Sequence, residues 1–185
     1  MNDIISIVID PPKNVCDFTA EFKQVLGSKT GFFGSLNSKA HITIATFKSD
    51  DVLIALMKTH IRKFCDKQFR FPVKLDKPDF FGTRTLYLAP DPLSSGLIKT
   101  MSKKLLWKDH LKLFPHLTIA RNLNPYQYKI AREMFYDKNI NLEFICEGVV
   151  IRKLDTLKKQ YEIIDTINFG GPILNSPDNK FSDGL

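Results

Sequence analysis

Cysteine is scarce in this chain. The 185 residues hold three, Cys16, Cys65 and Cys146, an odd number at wide spacing with no Cys-x-x-Cys pair. That argues against a disulfide framework or a thiolate zinc site and fits free thiols in a reducing compartment. No stretch approaches the roughly 20 apolar residues that span a bilayer. The opening MNDIISIVIDPP reads as a strand and a turn, not a signal peptide. Cytoplasm is the expected location, with no membrane partner. There is no Gly-x-x-x-x-Gly-Lys phosphate loop and no nucleophile elbow with an acidic partner. No cluster of His, Cys and carboxylates has the look of a zinc site, so neither metal nor cofactor is expected. Acidic residues are the minority, 20 Asp and Glu against 27 Lys and Arg, for a formal charge of +7. The excess favours an anionic partner, a nucleotide or RNA, through long-range steering, although modest positive charge is also common in cytosolic proteins.

What is present suits one medium domain with a proper core. Ile4 to Ile9 is a nearly continuous β-branched run, as in a strand covered on both faces, and Pro11 and Pro12 stop it. Asn14 can cap a helix carrying Val15, Phe18, Phe22, Val25 and Leu26 at helical spacing. A loop from Gly27 to Gly34 leads to a strand ending near Phe47. Asp50 or Asp51 caps a helix through Val52, Leu53, Leu56, Met57, Ile61 and Phe64. Phe69–Leu75 alternates as a half-buried strand, and Thr83–Leu88 follows as another. Asp91-Pro92 opens a helix with Leu93, Leu97, Met101, Leu105 and Leu106. A basic connection, Trp107 to Phe114, precedes a further strand, and Asn124-Pro125 carries the cap-plus-proline signature of a helix. Leu142–Leu154 and Tyr161–Phe169 read as a closing antiparallel pair around a turn at Asp155–Gln160. The domain is expected to span residues 1–170, with 171–185 as a loose tail. The fold class is α+β, mainly antiparallel, with helices on the outer faces.

Two short stretches repeat one another: His41-Ile-Thr43-Ile-Ala and His116-Leu-Thr118-Ile-Ala, 75 positions apart. On a strand, period two sets His41 and Thr43 on one face and Ile42 and Ile44 on the other, and the second stretch behaves alike. Each strand can bury its aliphatic face and present an imidazole and a hydroxyl to a cleft. The order helix, motif strand, helix, strand, strand recurs, so two similar halves would bring the motif strands into related positions. A lone strand histidine is more often a surface or satisfied core residue than a catalyst. The repeated phase makes coincidence the weaker explanation, though a duplication without activity would also produce it.

One neutral imidazole can remove a proton while a cationic one donates. Threonine hydroxyls can donate to phosphoryl oxygens as charge builds. Two bases and two hydroxyl donors suit metal-free attack at a phosphodiester. The alternatives are an RNA- or nucleotide-binding module without useful catalysis, and an interaction protein whose histidines only pack. Phe80, Phe81 and Tyr87 could stack on a base, although aromatics flanking a strand are usually core. Arg84 is a plausible cleft cation. His60 and His110 read as surface residues, and Trp107 as a packing anchor.

In its two His-x-Thr-x motifs, His41-Ile-Thr43-Ile and His116-Leu-Thr118-Ile, the chain resembles the two-histidine (2H) phosphoesterases. Bacterial and archaeal members of that family are called 2′-5′ RNA ligase-like or RNA 2′,3′-cyclic phosphodiesterases. The likeness runs from Ile4 to about Phe169. It implies a bilobal, pseudo-twofold fold whose two mainly antiparallel sheets line a central basic cleft. It implies opening of a 2′,3′-cyclic phosphate on RNA or a nucleotide to a 2′-phosphate, with 2′-5′ ligation as the reverse reaction. His41 and His116 would be base and acid in an order the sequence leaves open, and Thr43 and Thr118 would grip the non-bridging oxygens. Arg121, five after the second histidine, would reach the phosphate, which strict alternation disfavours without a bend or strand end; the first half has Thr46 there. Tyr87 and Arg84 are further substrate-binding candidates. Nothing demands more than a monomer.

Overall fold

The computed structural model describes residues 3–106 and 113–174. Trp107 and His110 lie outside the described residues, as do 175–185. Among the described residues, eight strands, β1 (Asp3–Ile9), β2 (Ile42–Ser49), β3 (Phe71–Phe81), β4 (Thr85–Pro90), β5 (Leu117–Ala120), β6 (Leu142–Cys146), β7 (Gly148–Asp155) and β8 (Gln160–Asn168), are interspersed with four helices. The helices are α1 (Lys13–Thr30), α2 (Asp51–Cys65), α3 (Pro92–Leu106) and α4 (Pro125–Phe135). The α+β, antiparallel expectation holds. The expected pair of sheets is instead one curled sheet of order β6-β3-β4-β5-β2-β1-β7-β8. Its two four-strand halves join through a single cross-strand pair, Ile42 with Leu117. Without that pair β2 and β5 would each show an unpaired edge at the centre of the molecule.

Local chemistry sets most boundaries. Asp50 caps α2 by accepting from the Leu53 N–H, and Asn124 and Gln127 form a reciprocal capping box on α4. Asp91 accepts from Ser94 N–H at the start of α3. Asn14 is not a cap: α1 already includes Lys13, and Pro12 precedes it with no side-chain bond. The long run expected from Leu142 is broken at Glu147. Leu142–Cys146 pairs with β3 in one half, while β7 crosses to pair with β1 in the other. Past Gly171 the chain still docks, through Arg70 N–H to Pro172 O and Leu174 N–H to Arg70 O.

One face of the sheet is the core. Ile5, Ile7, Ile9, Ile42, Ile44, Leu86, Leu88, Leu117 and Ile119 are all buried in one cluster with the helices. Each such side chain contributes about 1.5–3 kcal/mol of transfer free energy. Val8 and Tyr87 are buried too, yet they stand outside that cluster, on the opposite face. Phe18, Phe22 and Phe135 stack where α1 meets α4, and the Lys58 ammonium of α2 donates to Ile164 O of β8. The helices therefore cover the core face and leave the other face to form a cleft.

Candidate active site

Both motif strands carry the same irregularity. Val8 pairs with Thr43 but Ile7 with Ala45, which skips Ile44. Tyr87 pairs with Thr118 but Leu86 with Ala120, which skips Ile119. A bulge of this kind resets the alternation of a strand. Thr43 and Thr118 share the cleft face with Val8 and Tyr87, while Ala45 and Ala120 share the core face with Ile7 and Leu86. The next residues, Thr46 and Arg121, return to the cleft side. That is how Arg121 escapes the strict alternation that would have pointed it inward. It also stands just past the end of β5, its N–H donating to Gly34 O at 3.0 Å, beside Asn122 at φ +58°.

The antiparallel Ile42–Leu117 pair sets His41 opposite Thr118 and Thr43 opposite His116. All four side chains are half-buried. Each imidazole makes the same local bond. His41 Nδ1–H donates to Lys39 O, and His116 Nδ1–H donates to Phe114 O, both at 2.8 Å and both two residues back. A carbonyl only accepts, so Nδ1 carries the hydrogen and Nε2 is left as the free nitrogen of each ring.

The surroundings of the two rings differ. Burial and then the charge of Arg152, with smaller contributions from Lys23 and Arg121, push His41 down to about 4, against the Lys39 bond, which favours its protonated form. Its neutral form prevails at physiological pH. Lys23 is itself buried, its ammonium donating to Ser38 O at 2.5 Å, and burial pushes it down to about 8. It thus pins the carbonyl next to the one that orients His41. His116 sits instead among aromatics, with ring centroids at 5.1 Å from Phe81, 5.5 Å from Tyr87 and 6.3 Å from Phe114. Tyr87 stacks on Phe81 at 4.1 Å and donates its hydroxyl to Asp79 at 2.9 Å. Burial, followed by that bond, raises Tyr87 to about 12, so the hydroxyl stays protonated.

The structure thus brings together His41, Thr43, His116, Thr118, Arg121 and Tyr87. Arg84 stands in the exposed turn between β3 and β4, where its backbone closes the hairpin on Phe81 and its carbonyl accepts from Leu123 N–H. Phe80 packs edge-on against Tyr128 in the core, whereas Phe81 faces the cleft. His60 is not simply solvated: its Nε2–H donates to Leu105 O and ties α2 to the end of α3. Sequence reasoning misses Lys23, Phe114, Asp79 and Arg152 as site residues. Phe114 and Lys39 stand two residues before the motif histidines, which the repeat could have exposed. Lys23 sits on an otherwise ordinary helix face and Arg152 on a strand far from either motif, and neither carries a local signal.

The sequence model of the 2′-5′ RNA ligase superfamily matches residues 11–157. Several solved structures share the fold at low identity. Escherichia coli LigT complexed with phosphate aligns with a TM-score of 0.69 and 14% identity over 91% of this chain and 98% of that one. LigT complexed with 3′-AMP aligns with a TM-score of 0.65 and 11% identity, over 91% and 99%. The protein TT0787 of Thermus thermophilus aligns with a TM-score of 0.65 and 14% identity, over 92% and 99%. No curated protein matches the chain.

Proposed function

Because the chain belongs to the 2′-5′ RNA ligase superfamily, we propose that it is a phosphoesterase that opens 2′,3′-cyclic phosphates of RNA ends or nucleotides to 2′-phosphates. The observation that carries this reading is the matched pair of imidazoles, each holding Nδ1–H on a backbone carbonyl and each facing the other motif's threonine. The two bulged halves then act as pseudo-twofold lobes around one cleft, a geometry suited to a phosphate gripped from both sides.

The base role falls to His41, whose surroundings hold its ring neutral, and the acid role to His116 as its partner across the cleft. His41, held neutral, accepts the proton of the attacking water on Nε2. The water oxygen bonds to phosphorus, the bond from phosphorus to ribose O3′ breaks, and protonated His116 gives its Nε2 proton to that oxygen. The Thr43 and Thr118 hydroxyls and Arg121 meet the non-bridging oxygens as charge builds there. The proton gained by His41 and lost by His116 is exchanged with solvent before the next turnover. With the 5′-hydroxyl of a second RNA in place of water, the same steps form a 2′-5′ phosphodiester and free the 3′-hydroxyl, which is the ligase reaction.

The test is turnover of the four nucleoside 2′,3′-cyclic monophosphates and of an RNA ending in a cyclic phosphate, with EDTA present and phosphate position read by phosphorus NMR. A 2′-phosphate product is expected, with His41→Ala and His116→Ala each slower by roughly 10²–10⁴. Equal rates in both variants and the parent protein would refute the reading.

A further inference from the structure

The cleft has two unlike walls. Thr46, Ser6 and Arg152 are cross-strand partners, one row across β2, β1 and β7. In the other half Phe81 pairs with Thr85, next to the Leu86–Ala120 pair, so Phe81 lies in the third strand out from the seam, as Arg152 does. The two halves therefore place an arginine and a phenylalanine at corresponding positions on opposite sides of the motif threonines. Arg152 is poised for a ligand. Its guanidinium rests over the Tyr161 ring, 5.1 Å from the centroid, and its buried Nε has no hydrogen-bond partner among the described residues. Asp10, whose charge acts on Arg152 more weakly than Tyr161 does, is already paired with Lys39 at 2.6 Å. Through its pairing with Ser6 and Thr46, Arg152 stands on the cleft face, two strands or about 10 Å from β2, and its charge is the one that bears most strongly on His41.

Accepting the phosphoesterase reading, on which this step rests, we propose that Arg152 binds the phosphate on the 5′ side of the reacting nucleotide, and so selects RNA ends and 5′-phosphorylated nucleotides over bare nucleoside cyclic phosphates. The order of groups around a ribose matches the cleft. The base leaves from C1′, the 5′ group from the opposite end at C4′, and the 2′ and 3′ oxygens lie on the edge between them. With that edge on the motif threonines, the base meets Phe81 and Phe114, and the 5′ phosphate meets the opposite wall. A guanidinium offers that phosphate a paired, charge-assisted grip, and an Nε–H with no other partner gives one arm of it.

Binding decides the matter without any turnover. Calorimetry compares adenosine 2′-monophosphate with adenosine 2′,5′-bisphosphate, and the unaltered protein is expected to favour the second by about tenfold or more. Arg152→Met should cut that preference to about threefold or less, while Lys67→Met, which removes an exposed charge elsewhere, should leave it intact. Tyr161→Leu, which keeps the charge but removes its seat, should lower the preference as well, and it answers the question if Arg152→Met does not fold. No preference in the unaltered protein, or one that survives Arg152→Met or, failing its folding, Tyr161→Leu, would overturn the assignment. A failed phosphoesterase reading looks different: the binding preference would stand while no cyclic phosphate is opened.

Discussion

Ile42 and Leu117 are cross-strand partners, and through this one pair each motif histidine is set against the threonine of the other motif. Both residues belong to the core, fully buried beneath the sheet. The pair therefore does two things at once. It anchors the seam between the halves, and it holds the reacting groups in register on the opposite face. Loosening the seam would separate each imidazole from the hydroxyl opposite it.

Acid stability should report on His41. Folding holds its imidazole near 4 against an ordinary 6.5, so between those values the unfolded chain binds a proton that the folded chain refuses. Stability then rises with pH across that window, is complete above it, and is lost as pH falls through it. The ring is half-buried, so the expected contribution is about 1–2 kcal/mol. Denaturant unfolding at pH 4.5 and 7 should show a loss in acid that is smaller by this amount in His41→Asn. An identical loss in both proteins would mean that the imidazole is not held neutral.

Lys23 should separate stability from activity. Its folded value, near 8, lies below the ordinary 10.5, so its charge is disfavoured by the fold, a cost that disappears only as pH rises through that range. Methionine fills similar space without the charge. Lys23→Met is expected to melt at the same temperature or slightly higher, while kcat falls about tenfold as the Ser38–Lys39 carbonyls lose their anchor. An unchanged kcat would show that the loop orients His41 without help.

Much of this was legible in the sequence, and the limits have physical causes. The caps at Asp50 and Asn124 act within one turn, and the His-x-Thr phase is local to one strand, so both could be read directly. The bulges at Ile44 and Ile119 are invisible without the partner strands, and they decide where Arg121 points. One sheet rather than two depends on a single long-range pair. Arg152 reaches the site across three strands, a relationship no local pattern encodes.

The aromatic wall beside His116 should carry base affinity. Phe114 and Phe81 are each exposed by nearly half, unusual for rings that meet edge-on at 5.1 Å, and they leave a face open for stacking. Phe114→Ala is expected to raise KM for nucleoside 2′,3′-cyclic phosphates by about 5–30-fold, the equivalent of 1–2 kcal/mol per stacked base, with a smaller change in kcat. A kcat loss at constant KM would instead place the ring in the positioning of His116.

Three glycines should behave in three ways, and the contrast isolates the link between the α1–β2 loop and the second motif. A Cβ on Gly34 would lie 2.8 Å from the Arg121 carbonyl and 3.0 Å from its Cγ, and a backbone oxygen cannot step aside. Gly34→Ala should cost about 1–3 kcal/mol and, by displacing Arg121, slow turnover as well. Gly31 meets nothing nearby but sits at φ +75°, so alanine there strains the backbone by about 1–3 kcal/mol and should spare the chemistry. Gly96 is exposed within α3 with open space around it, and Gly96→Ala should stabilise by roughly 0.5–1 kcal/mol. Melting curves and rates for the three variants give the answer. If Gly34→Ala loses stability but keeps full activity, as Gly31→Ala should, then Arg121 does not act at the phosphate.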